Sequence, residues 1–188
     1  MRPTLLLVRH ADAGIPRADG PDDHRRALTA AGRRSARRLV SELLACGPTV
    51  VASSPYLRAV QTVAPTAQAA GRAVRTDSAL REWDSGIAPT PDYARWYARS
   101  WARPETARPG GESLRQLSER AVSALSRWAE AAGGPIVVGS RGTFIAAALA
   151  GYGIAGIGWP FVRAMPMPAI YRLEFDPSGA VVVAGPGL

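Results

Sequence analysis

The stretch "IVVGSRGTFIAAALAG", Ile136 to Gly151, decides the fold. Its first residues, apolar and partly β-branched, read as a buried strand, and the alanine-rich run at its end reads as an apolar helix. Ser140, Arg141 and Gly142 read as the tight turn between them. A strand that turns straight into a helix is the repeating unit of an α/β sheet. Arg141 stands at that turn. A permanent cation at a helix start meets the positive end of the helix dipole, so its natural partner there is an anion.

Working outward, the same alternation recurs. "TLLLVRHA" (Thr4 to Ala11) is a buried strand, and "TVVASS" (Thr49 to Ser54) and "AVRTD" (Ala73 to Asp77) are shorter ones. Between the first two, Thr29 is the expected N-cap and Gly47 the stop of a helix. Ala36, Leu39, Val40, Leu43 and Leu44 share one face of it. Ser54 is expected to cap the next helix, with Pro55 at its first position and Gly71 after its end. Leu114, Leu117, Ala121, Val122, Leu125, Trp128 and Ala129 mark a long amphipathic helix ended by Gly133 and Gly134. "AIYRLEF", "DPSG" and "AVVVAG" read as a closing hairpin. The expectation is one α/β domain over residues 1–188, a three-layer α/β/α sandwich around a mostly parallel sheet.

The segment from Leu80 to Gly111 interrupts this rhythm. "PDYARWYARSWA" within it reads as helical. The segment (80–111) is expected to lid the pocket. Its aromatics, Trp83, Tyr93, Trp96, Tyr97 and Trp101, suit either a ring-bearing substrate moiety or the packing of a small subdomain.

Composition narrows the classes of function. The chain has 188 residues, 47% of them apolar and 20% charged, as in a folded domain with a sizeable core. The net charge is +8 and every basic side chain is arginine, which suits an anionic ligand. The arginines are scattered and not interleaved with aromatics, which argues against a nucleic-acid surface. A single cysteine, Cys46, gives no disulfide framework and fits a reducing compartment. "LLLV" (Leu5 to Val8) is too short for a signal peptide or a membrane span, so the cytoplasm is the expected location and no membrane is expected as partner. Oligomeric state has no signature in the sequence.

In open α/β sheets, ligands bind beyond the carboxyl ends of the strands. That rule gathers Arg9 and His10, Ser53 and Ser54 with Arg58, and Ser140 with Arg141. Singly, Arg9–His10 also reads as a solvated pair and Arg58 as a surface arginine. Together they suggest a phosphoryl pocket, because guanidinium pairs with phosphate oxygens in a bidentate way. No metal-ligand cluster is apparent, and the other histidine, His24, lies in a polar loop where a solvated side chain is expected. Arg17, Arg25 and Arg26 share that loop; they either reach the pocket mouth or stay in solvent.

The motifs "LLLVRHADAG", "SSPYLRAVQTV", "LREWDSG", "RPGGES" and "VVGSRGTFIAAAL" resemble, in this order, the histidine phosphatase superfamily of phosphoglycerate mutase-like proteins. The resemblance runs from Thr4 to about Gly185. "DDHRRALTAAGRRSA" looks like smaller members acting on phosphohistidine or small phosphates, and "RPGGES" looks like the broad-specificity phosphatases. The resemblance implies that His10 is the nucleophile, that Arg9 and Arg58 hold the phosphoryl oxygens, and that Glu82 protonates the leaving oxygen, with Asp84 as the nearby substitute. It implies no metal and no cofactor. Arg141 stands where the family has a second histidine, which stabilises the transferred phosphoryl group. An arginine there can still donate to phosphate, but it is longer and cannot exchange a proton. Three readings follow: a phosphatase on small phosphate esters, slowed by Arg141; a binding protein that keeps the phosphate pocket without turnover; or a scaffold repurposed for a non-phosphatase biosynthetic step. Phosphatase is preferred to mutase because no long insertion retains a phosphorylated intermediate.

Overall fold

A computed structural model describes residues 4–15, 22–88, 90–175 and 181–188. The strands are β1 (Leu5–Arg9), β2 (Val50–Ser53), β3 (Val74–Thr76), β4 (Ile136–Ser140), β5 (Ala169–Phe175) and β6 (Val181–Ala184). They form one sheet in the order β3-β2-β4-β1-β5-β6. The pairs β2–β3, β2–β4 and β1–β4 are parallel; β1–β5 and β5–β6 are antiparallel. The described strands thus carry out the mostly parallel α/β expectation, with the C-terminal hairpin as its antiparallel edge. "DPSG" lies outside the described residues.

Both faces of the sheet are covered, which explains why the strands read as unbroken apolar runs. Leu5 and Leu7 of β1 enter one core cluster, with Ile136 and Val138 of β4; Leu6 and Val8 enter the other, with Val51 and Val137. Successive side chains point to opposite faces, so a strand buried twice has no polar positions to spare.

The helices are α1 (Ala30–Arg38), α2 (Val40–Leu44), α3 (Leu57–Ala69), α4 (Tyr93–Ala102), α5 (Leu114–Ala132), α6 (Gly142–Gly151) and α7 (Trp159–Ala164). Thr29 caps α1 as expected, accepting from the Gly32 N–H at 2.9 Å. A side chain at Gly32 would lie 2.0 Å from the Asp12 carbonyl, so only glycine lets α1 close onto the chain leaving β1. The helix expected to reach Gly47 is divided at Leu39 into α1 and α2. Ser113 and Gln116 form a reciprocal capping box at the start of α5, and Gly133 ends it in the left-handed region.

Ser54 is not the cap of α3. Its N–H donates to the Gly139 carbonyl at 2.8 Å, which extends the β2–β4 ladder by one residue. The residue is therefore tied to the strand end by its main chain, and its buried Oγ has no partner. The helix starts at Leu57, with Tyr56 at the N-cap position and no side-chain cap.

The 80–111 segment is rooted in the domain. Leu80 and Trp83 belong to the larger core cluster, and the Trp83 indole donates to the Glu112 carbonyl at 2.8 Å. Tyr97 of α4 packs its ring 5.0 Å from Trp83 and 5.3 Å from Trp159 of α7. Tyr93 of α4 lies edge-on to Tyr97 and Trp159 as well, at 6.0 and 6.4 Å. No helix among the described residues is long and apolar enough to cross a membrane.

Candidate active site

The parallel register sets the site. Arg9 pairs with Ser140 and Ser53 with Gly139, so β1, β2 and β4 finish side by side. The His10 N–H continues the ladder to the Ser140 carbonyl at 3.0 Å. The sheet then ends, and the next side chains look out over its edge.

His10 is buried, 6% exposed. Its Nδ1 lies 2.7 Å from the Ala11 carbonyl oxygen. A carbonyl can only accept, so Nδ1 carries the proton and Nε2 keeps its lone pair. Burial holds the imidazole pKa down to about 3; the Ala11 bond opposes this, and Arg58, Arg141 and Arg9 reinforce it. The ring is neutral at any ordinary pH. Thr62 fixes this arrangement from below: its Oγ1 accepts from the Ala11 N–H at 3.0 Å and donates to the Arg58 carbonyl at 2.7 Å.

Arg58 lies in the first turn of α3, and its side chain is fully buried. One of its terminal nitrogens donates to the Asp23 carbonyl oxygen and the other to Asp23 Oδ2 at 2.8 Å, while its Nε has no partner. Burial, then the nearby Arg141 charge, brings its pKa down to about 10. Arg141 is the N-cap residue of α6. It donates to the same Asp23 Oδ2 at 3.0 Å and lies 3.4 Å from Glu82 Oε2. Burial lowers its pKa, but Glu82 and Asp23 outweigh it, and the net shift is upward. Both guanidinium groups lie over the Tyr56 ring, at 4.8 and 5.0 Å from its centroid. His24 stacks on that ring at 4.2 Å, so it is docked although exposed.

Glu82 faces the first turn of α6. Its Oε1 accepts from the N–H groups of Trp83 and Phe144, each at 2.9 Å, and its Oε2 from Thr143 at 3.4 Å. All these partners are donors, and the carboxylate sits where the helix dipole favours it. The structure brings Glu82 to Arg141, whereas Asp84 is exposed. Arg9 lies behind the others. It donates to the Met165 carbonyl, its Nε is buried without a partner, and Gly142 packs over it. Burial lowers its pKa, with Glu82 opposing.

Four residues of this site escape a reading of the sequence. Asp23 is the largest omission, since its carboxylate joins Arg58, Arg141 and Arg26. Thr62 is the second. Arg120 and Glu112 form an ion pair beneath Glu82. Arg120 also donates to the carbonyls of Ala79 at 2.8 Å, Arg81 at 3.0 Å and Glu82 at 3.3 Å. Of the loop arginines, Arg26 reaches the site through Asp23, Arg25 points into solvent, and Arg17 lies outside the described residues. No group of three or more His, Cys, Asp or Glu that could hold a metal occurs among the described residues.

A neutral buried imidazole thus lies beside converging guanidinium groups at the carboxyl ends of three strands. The family model of the histidine phosphatase superfamily (branch 1) matches residues 5–185, and the chain belongs to that superfamily. The chain is 35% identical over 79 residues to the 8-oxo-(d)GTP phosphatase of Mycolicibacterium smegmatis, a match covering 42% of this chain and 24% of that protein. It is 32% identical over 133 residues to the probable phosphoglycerate mutase GpmB of Salmonella paratyphi C, covering 65% of this chain and 61% of the relative. The chain thus spans less than two thirds of the length of these curated relatives. The solved structure of the mycobacterial glucosyl-3-phosphoglycerate phosphatase superposes with a TM-score of 0.74, at 23% identity, over 98% of this chain and 97% of that one. That is a likeness of fold.

Proposed function

We propose that this chain hydrolyses small phosphate monoesters through a phosphohistidine formed on His10. The observation that carries the reading is the state of that ring: buried, neutral, with Nδ1–H committed to Ala11 and the Nε2 lone pair left for attack. Nε2 attacks phosphorus as the ester P–O bond breaks. Arg58 and Arg141 take the phosphoryl oxygens, and Arg9 adds positive charge behind them. Glu82 supplies the proton that the leaving oxygen needs. Glu82, now a carboxylate, takes a proton from water as the water oxygen attacks the phosphohistidine; the P–N bond breaks, and inorganic phosphate leaves with His10 and Glu82 both restored. The reading calls for no metal or cofactor, and its partner is a small anionic substrate. The single cysteine, Cys46, fits a reducing compartment, and we place the protein in the cytoplasm.

A second reading, a phosphate-binding protein with impaired turnover, draws on Arg141. This cation stands where the resemblance puts a proton-exchanging histidine, and its charge is already shared between Asp23 and Glu82. Phosphate release from a panel of phosphomonoesters, compared with His10→Ala, decides between them. A wild-type rate no higher than that of His10→Ala sinks the esterase. A melting temperature raised by phosphate or vanadate without turnover establishes the second reading.

A further inference from the structure

The anion that Arg58 and Arg141 hold in this structure is the chain's own Asp23. Its Oδ2 takes 2.8 and 3.0 Å bonds from the two guanidinium groups, and its Oδ1 takes 3.3 and 3.1 Å bonds from Nε and a terminal nitrogen of Arg26. A carboxylate bridging two cations in this way has the contacts a phosphoryl oxygen would have. The buried Nε of Arg58 remains a donor without an acceptor, so the carboxylate fills the clamp only in part. The turn that carries Asp23 replaces the missing cap of α3: the Leu57 N–H donates to the His24 carbonyl at 2.8 Å, and His24 stacks on Tyr56. That backbone is anchored. The Asp23 side chain is 43% exposed and can rotate into solvent without releasing it.

We infer that Asp23 is a resident anion in the phosphoryl clamp, which an incoming ligand must displace, and that it thereby selects dianionic phosphomonoesters over monoanions. The inference rests on the reading of Arg58 and Arg141 as that clamp. Exchanging one carboxylate charge for a phosphoryl dianion adds a negative charge beside the two guanidinium groups. Exchanging it for a monoanionic diester adds none, so the diester gains nothing to offset the displacement. The cost of displacement also weakens every ligand by the fraction of molecules with the clamp open.

The test is calorimetric titration of the purified protein with inorganic phosphate, methyl phosphate and dimethyl phosphate at pH 8. Asp23→Asn is expected to bind phosphate about tenfold tighter or more, and to narrow the preference for methyl over dimethyl phosphate. Asp22→Asn, which removes an exposed neighbouring carboxylate, serves as the charge control and is expected to change neither. Arg26→Gln separates the two explanations by sign. Loss of a cation alone weakens anion binding, whereas loosening the Asp23 anchor tightens it, and tightening is expected. Unchanged or weaker phosphate binding in Asp23→Asn overturns the inference, as does weaker binding in Arg26→Gln or no binding by any variant. Turnover is scored apart. Esters hydrolysed with no effect of Asp23→Asn on binding sink the inference alone, and tighter binding without hydrolysis sinks the esterase alone.

Discussion

The two sides of the proposed phosphoryl pocket are built on opposite plans. The rear, where Glu82 meets α6, is closed and braced: Ser140 Oγ donates to the Leu80 carbonyl at 2.8 Å, and Arg120 holds the carbonyls of residues 79, 81 and 82. The front, the turn around Asp23, is exposed; Arg58 holds its main chain at the Asp23 carbonyl, but only the Asp23 carboxylate links Arg58, Arg141 and Arg26. Both sides supply an acidic group to Arg141. The rear one is fixed by backbone donors that no ligand replaces; the front one is held by side chains that a phosphoryl group can take over. Rigidity and exchangeability are thus divided between two carboxylates on one cation.

The largest expected effect lies on the cation they share. Arg141→His is expected to raise phosphate release by on the order of 10²-fold, the usual worth of one well-placed transition-state donor. A fall in rate would instead make Arg141 a working element of the clamp. Next comes the rear brace. Arg120→Met removes the main ion-pair partner of Glu112 and the side-chain donor to three carbonyls, and is expected to cost about 3 kcal/mol, or a melting temperature lower by roughly 6–12 °C. A shift under 2 °C, by the same conversion, would show that the rear does not depend on it.

The third effect is one of pH. The folded-state pKa of His10 lies near 3, below its ordinary 6.5, so the unfolded chain binds the proton first. Stability from this group is complete above pH 6.5 and is lost as the pH falls from there toward 3, at about 1.4 kcal/mol per unit. Denaturant midpoints at pH 6.5 and 5 are expected to differ by about 2 kcal/mol in the wild type and by much less in His10→Gln. Asp23, pulled up by burial but held down to about 2 chiefly by Arg141 and Arg58, acts only below that window. The smallest effect belongs to the front. Asp23→Asn is expected to lower stability by about 1 kcal/mol or less, with phosphate recovering the loss. A loss as large as that of Arg120→Met would erase the contrast between the two sides.

The same contrast marks what the sequence discloses. His10, Arg9, Arg58 and Arg141 are legible because each stands at a strand end or helix start, where periodicity changes. Asp23 is not, because its partners Arg58 and Arg141 lie 35 and 118 residues away and the polar loop between gives no period. Arg120 is hidden for another reason. It sits on the polar face of a helix, where an arginine is unremarkable, and its acceptors are main-chain carbonyls of residues 38 to 41 positions earlier. The strands and long helices follow from hydrophobic pattern. Ser54 misleads because its N–H joined a ladder whose other half, β4, is far off in the chain.

That ladder also orders events in time. Strand β1, which carries Arg9 and ends beside His10, pairs among the described residues only with β4 and β5, so its neighbours are residues 136–140 and 169–173. On a ribosome, β2 and β3 can meet while β1 has no partner, and His10 stays uncovered until β4 and β5 have emerged. Pairings that distant are slow to close. A residue made before its strand's partners is thus sealed after them, and the neutral, buried histidine comes into being only with the finished sheet.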